Sequence, residues 1–132
     1  LDYANAVYIG APKSILNRLQ MVQHTAARLI TRTSKRDHIT PILMDLHWLP
    51  VEYSIQYKLI LYVYKTLHDL APDYIKDMVT MYNPTRSLCS QSQKLLEIPK
   101  TRTVTYGERC FSVATAKLWN TLLVCSKSES KL

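Results

Sequence analysis

Between Pro50 and Pro72 the chain runs without a glycine or a proline, and residues recur there at three- and four-residue steps: Ile55, Leu59, Tyr62, Val63, Thr66, Leu67 and Leu70. That period predicts a helix beginning at Pro50 or Val51. Ile60, Leu61 and Tyr64 place further apolar surface on its other side. A helix apolar around most of its circumference is one buried on most of its faces. This segment is therefore the expected central core element, and the rest of the chain is expected to fold around it.

Prolines bound the other elements. Pro12 can open a helix, because its missing N–H would be unpaired there anyway. From it Ile15, Leu19, Val22, Ala26 and Leu29 recur on one helical face as far as about Thr31, with Arg18, Thr25, Arg28 and Arg32 beside that face. Thr40-Pro41 reads as an N-cap and a first-turn proline for a short helix, Ile42 to Leu46. That helix should stop near Trp48, since the residue before Pro50 is biased away from helical angles. Pro72 opens another short helix, Asp73 to Val79, and Tyr82-Asn83-Pro84-Thr85 is turn chemistry. Residues 85–94 are polar and rich in Ser and Gln, which suits an exposed loop. Leu95–Ile98 and Arg102–Tyr106 read as two short strands interrupted by Pro99. From Glu108 to Leu122 the helical period returns at Phe111, Ala114, Thr115, Leu118 and Leu122. The expected fold is mainly α: an irregular helical domain over residues 1–124, with three principal helices, short helices and room for one short β-hairpin. Residues 125–132 should form a frayed tail. Trp48 and Trp119 should be mostly buried.

Charge is unevenly distributed. Residues 1–40 carry six Lys/Arg against Asp2 and Asp37, residues 41–80 carry three against five acids, and residues 81–132 carry eight against three. Basic flanks around a near-neutral middle suit contact with a polyanion, and suit plain solubility as well. Four of the cations, Arg28, Arg32, Lys35 and Arg36, crowd the end of the first helix and the loop after it. Lys100, Arg102 and Arg109 form a looser second group with Tyr106 interleaved. Together with Arg18 these are the candidate nucleic-acid-binding residues, since Lys and Arg hold phosphates without regard to sequence.

Catalytic chemistry finds no support. Two-metal phosphoryl or nucleotidyl transfer needs paired carboxylates, and no two acidic residues are adjacent in this chain. There is no G-x-S-x-G, Walker loop or H-E-x-x-H. His24, His38, His47 and His68 lack a nucleophile or metal partner in the sequence. Cys89, Cys110 and Cys125 are odd in number, well separated and without a C-x-x-C pair, so reduced thiols are expected ahead of disulfides or zinc. No cofactor, metal or small-molecule substrate is implied. The stretch Lys58–Tyr64 is too short to span a membrane, and no signal-type run is present. An intracellular protein without membrane contact is expected. Trp48 has two readings: an interhelical plug, or a platform for a nucleobase with His47 at its phosphate.

Four separated segments carry a resemblance. They are Leu1-Asp2-Tyr3, then Gln20-Met21-Val22-Gln23-His24-Thr25-Ala26-Ala27-Arg28-Leu29-Ile30, then Leu46-His47-Trp48-Leu49-Pro50-Val51-Glu52, and last Tyr106-Gly107-Glu108-Arg109-Cys110-Phe111-Ser112-Val113 with Lys117-Leu118-Trp119-Asn120. In this order, from Leu1 to about Leu122, the chain resembles the C-terminal part of non-LTR retrotransposon polyproteins of the Jockey and chicken-repeat kind. The resemblance implies a segment beyond the reverse-transcriptase palm, at the thumb-like region that holds template and primer. It implies RNA or DNA as backbone-contacted partner, the polymerase palm of the parent polypeptide as protein partner, and a nuclear or cytoplasmic ribonucleoprotein as setting. It also implies no independent polymerase activity. Ala114-Thr115-Ala116-Lys117-Leu118-Trp119-Asn120-Thr121-Leu122-Leu123 lacks both prolines of the family pattern, which suits a decayed copy. A small helical protein–protein interaction module is the alternative.

Overall fold

The computed structural model describes residues 4–84 and 94–129, with the backbone alone for Val104, Thr105, Val124 and residues 126–129. Leu1-Asp2-Tyr3, Cys89 and nearly all of the Ser/Gln-rich segment 85–94 therefore lie outside the described residues. The fold is mainly helical. A short 3-10 turn, Asn5–Tyr8, precedes α1 (Lys13–Thr31), α2 (Ile39–Asp45), α3 (Val51–Leu67), α4 (Asp73–Lys76), α5 (Val104–Gly107) and α6 (Phe111–Glu129). The chain divides into two compact units, Leu1–Tyr57 and Lys58–Leu132, with the boundary inside α3.

In the first unit Pro12 sits just outside α1 in an extended conformation and its carbonyl accepts from Ile15 N at 2.9 Å. α1 packs against α2 through Ala27, Ile42 and Leu43, with Ile39, Leu46 and Trp48 laid around them. The inward side of α1 is not its apolar face. Gln23 and Ala27 are its buried residues, whereas Ile15, Val22, Leu29 and Ile30 are exposed. Two glutamines explain this. Gln23 Nε2 donates to the Leu49 carbonyl at 2.8 Å, and Gln20 Oε1 accepts from Val51 N at 2.8 Å. Val51 opens α3, so its N–H is one of the donors that a helix leaves without an internal partner. Gln20 caps it. The two amides are joined to each other, Gln20 Nε2 to Gln23 Oε1 at 2.7 Å. Asn5, also buried, ties the N-terminal 3-10 turn to Ser54 of α3 at 2.9 Å.

α2 begins earlier than the sequence suggests: His38, not Thr40, precedes it, and Thr40 and Pro41 lie within its first turn. A proline is tolerated there because first-turn N–H groups have no partner in the helix. Its far end explains the His47-Trp48 pair. His47 adopts a left-handed conformation (φ 53°). Its N–H donates to the Met44 carbonyl at 3.0 Å, and Trp48 N donates to the Leu43 carbonyl at 2.8 Å. These two bonds form a Schellman closure, in which the residue after the left-handed one packs back on the helix. Trp48 does so and is partly buried against Leu43.

The second unit holds the rest of α3. Leu59 and Val63 are fully buried, as is Ile55 nearly so in the first unit. Asp69 (φ 58°) closes α3, with Leu70 N donating to the Lys65 carbonyl at 2.8 Å, and leaves Leu70 exposed. α4 stops at Lys76, three residues short of Val79, with Met78 and Val79 continuing in 3-10-type turns. Val63, Leu96 and Ala116 form a core with Leu67, Val79 and Trp119 around it. Tyr62 meets the edge of Phe111 with ring centroids 6.2 Å apart.

The expected hairpin does not form. Leu96 makes a single antiparallel bridge to Met81, and Val104–Gly107 is helical. Asn120 supplies what a second strand would have. Its Oδ1 accepts from Leu96 N and its Nδ2 donates to Leu96 O, both at 2.9 Å. Trp119 Nε1 reaches the Lys94 carbonyl at 3.1 Å. The Trp119-Asn120 pair thus clasps residues 94–96 to α6 by backbone groups that a lone segment would leave unpaired. At Gly107 a Cβ would lie 2.5 Å from that of Thr101, which accounts for glycine there. α6 runs on through Glu129, past Leu122 where the apolar period ends.

Candidate nucleic-acid interface

The basic residues named from the sequence fall in both units. Arg18, Arg28, Arg32, Lys35 and Arg36 belong to the first, and Lys100, Arg102 and Arg109 to the second. Arg18 stands ten residues before Arg28 on α1, on the order of 15 Å along the axis, so it does not join the cluster at the helix end. Lys100 and Arg102 are exposed on the irregular segment before α5, and Arg109 is exposed in the turn before α6. Lys117, their neighbour on α6, pairs with Glu108 at 3.1 Å.

The end of α1 is the better-built group. Arg32 is left-handed (φ 55°), and both its N–H and that of Thr33 are directed to the Arg28 carbonyl. The loop beyond is folded tightly on Asp37, whose Oδ2 accepts from Ser34 N at 3.0 Å while Asp37 N donates to Ser34 O at 3.2 Å. Arg36 N donates to Ser34 Oγ at 3.3 Å. This turn holds Arg32, Lys35 and Arg36 exposed on one short stretch of backbone. Arg28 has a different use. It is partly buried and its Nη2 donates to the Asp37 carbonyl at 3.1 Å, so it braces the loop from inside. Cations also suit the C-terminal end of a helix electrostatically. Arg28 is thus taken up by the loop, and Arg32, Lys35 and Arg36 are the cations there that stay exposed.

His24, one turn before Arg28, is held below the ordinary histidine range, first by burial and then by the Arg28 charge. Its Nε2 lies 2.8 Å from Gln20 Nε2, so the neutral ring accepts from that amide. Cys110 is lowered by hydrogen bonds from Ser112, its side chain first. Among the described residues no three His, Cys, Asp or Glu side chains gather as a metal site, and no helix is long and apolar enough to cross a membrane.

A cleft of about 640 Å³ in the first unit is walled by Tyr8, Leu19, Trp48, Leu49 and Val51. Two of its polar side chains are turned on the protein itself, Gln23 to Leu49 and Asn5 to Ser54. No protein-family description, curated protein or solved structure matches this chain.

Proposed function

We propose that the chain is a non-catalytic nucleic-acid-binding segment that contacts the sugar-phosphate backbone of RNA or single-stranded DNA through Arg32, Lys35 and Arg36. In the retrotransposon setting that the sequence resembles, this contact would hold template or primer for a polymerase palm carried elsewhere in the parent polypeptide. The carrying observation is the loop after α1. Its one carboxylate, Asp37, is spent on Ser34 N–H, and Arg28 braces the turn so that three cations stand exposed together. Lys100, Arg102 and Arg109, in the second unit, would make a separate contact.

Binding of this kind weakens with salt, because each neutralised phosphate releases condensed counterions. Replacing the three loop cations (Arg32→Asn, Lys35→Gln, Arg36→Gln) should reduce the slope of log affinity against log salt by about 2 to 3 units, at ~0.7–0.9 per contact. Fluorescence anisotropy with a labelled single-stranded RNA at several salt concentrations measures this. Equal slopes for two folded proteins would remove the loop from the binding surface. The helical interaction-module reading also has an observation in its favour, the exposed apolar face of α1.

A further inference from the structure

We infer that the exposed face of α1 is a docking seam for one acidic amphipathic helix of a protein partner. Ile15, Leu19, Val22, Ala26 and Leu29 alternate in steps of four and three, the spacing of the two core positions of a coiled-coil heptad. In a folded unit such a seam is ordinarily covered. Here Val22 is 56% exposed and Leu29 80%, while Leu19 and Ala26 are half-buried. α1 packs on its own unit by the adjacent side, through Gln20, Gln23 and Ala27.

The surface has the form that a helix requires. Val22, Thr25, Ala26 and Leu29 stand at relative positions 0, 3, 4 and 7, the four residues that make one hole for an inserted side chain. A shallow groove of about 400 Å³ lies over them, with Met21 at its edge. The two central residues are small, which leaves room for a large apolar knob. The Thr25 hydroxyl donates to the Met21 carbonyl at 2.9 Å, so its polarity is satisfied on the helix itself. The methyl group is what remains for a partner.

Charge selects the occupant. α1 contains no Asp or Glu, Arg18 stands beside the seam one turn before Val22, and Arg32 follows directly on the last residue of the helix. Flanking charges of a heptad seam set partner choice and orientation. A second copy of this face, laid antiparallel, would bring Arg18 against Arg32 of its mate. A helix carrying Leu or Ile on its seam and Glu beside it would meet both arginines favourably. The apolar face stands apart from the loop contact proposed for nucleic acid, and Arg32 is common to both.

The test uses the full chain and a designed helical peptide with Leu at the two seam positions and Glu at the flanking ones, which repel its own copies. A Lys-flanked version is the control. The Glu peptide should bind at least ~10-fold tighter than the Lys peptide, a ratio equivalent to 1.4 kcal/mol. Val22→Gln with Leu29→Gln should abolish binding while RNA affinity stays unchanged. Arg18→Gln with Arg32→Asn should bring the two peptides together. No binding of the Glu peptide, equal binding of both by the unaltered chain, or self-association that the Val22/Leu29 variant disperses would each overturn the proposal. So would loss of RNA affinity in that variant, which would assign the face to nucleic acid.

Discussion

α1 and α3 are the two long helices that pack in the first unit, and both show clear apolar recurrence, yet only α3 uses it inward. Ile55 is 3% exposed and Leu59 and Val63 are fully covered. In the corresponding row of α1, Ile15, Val22 and Leu29 face solvent, and the buried residues of the helix are Gln23 and Ala27. The difference lies in what each helix must satisfy. α3 is apolar on most sides, so any burial removes apolar surface from water. α1 runs beside the irregular segment Leu49–Val51, where a carbonyl and a helix-opening N–H need partners more than they need oil. Buried backbone groups left unpaired are costly, and only a polar face can pair them.

Truncating one apolar side chain on each helix, within the same unit, gives the largest expected effect. Ile55→Ala should cost about 2–5 kcal/mol of unfolding free energy, from lost transfer energy and the cavity left behind. Leu29→Ala should cost no more than about 0.5 kcal/mol, as an exposed substitution does. Denaturant titration followed by circular dichroism reads both. Comparable losses would mean that the α1 row is covered after all, and would take the docking seam with it.

The glutamines sharpen the same contrast. Gln23→Leu keeps the volume and raises apolarity, which by hydrophobic reasoning alone should help. It should instead lower stability by about 1–3 kcal/mol, because the Leu49 carbonyl and the Gln20 amide lose partners. Val22→Gln, the opposite exchange one residue away, should stay within about 0.5 kcal/mol. If Gln23→Leu proved stabilising, the network would not be what orients α1.

Much of the helical architecture was legible, because prolines and apolar periods act locally. Pro12, Pro50 and Pro72 mark the starts of α1, α3 and α4 to within a residue. Which face of α1 turns inward was not legible, since periodicity shows that a face exists and not what covers it. The helix ends were harder again. This chain has only two glycines, so Arg32, His47 and Asp69 occupy left-handed positions that glycine usually marks. Leu95–Ile98 read as a strand because its backbone does need pairing. Its partners, Met81 and the Asn120 amide, are distant in sequence. At the candidate site, the clustering of Arg28, Arg32, Lys35 and Arg36 was plain. That Arg28 would be drawn inward to the Asp37 carbonyl depends on the loop closing, which no local pattern announces.

The smallest effect is a pH dependence that starts from α1. His24 is depressed by burial first and by Arg28 second, and its Nε2 takes the Gln20 amide as donor. Protonation would put an N–H against that donor and weaken the bridge that Gln20 makes to Val51. With the folded value below the unfolded one, the unfolded chain binds the proton more readily, so stability rises with pH in that interval. The contribution is whole above the unfolded value near pH 6.5. It declines as pH falls through the lower, folded value. His24→Gln keeps an acceptor for Gln20 and cannot titrate. The stability difference between this variant and the unaltered chain should be flat from pH 8 down to about 6.5 and should then shift in favour of the variant. Denaturant midpoints measured from pH 8 to below that value decide it. A difference that does not change with pH would show that the ring exchanges its proton as freely in the folded chain as in the unfolded one, and that the amide bridge beside it does not sense the charge.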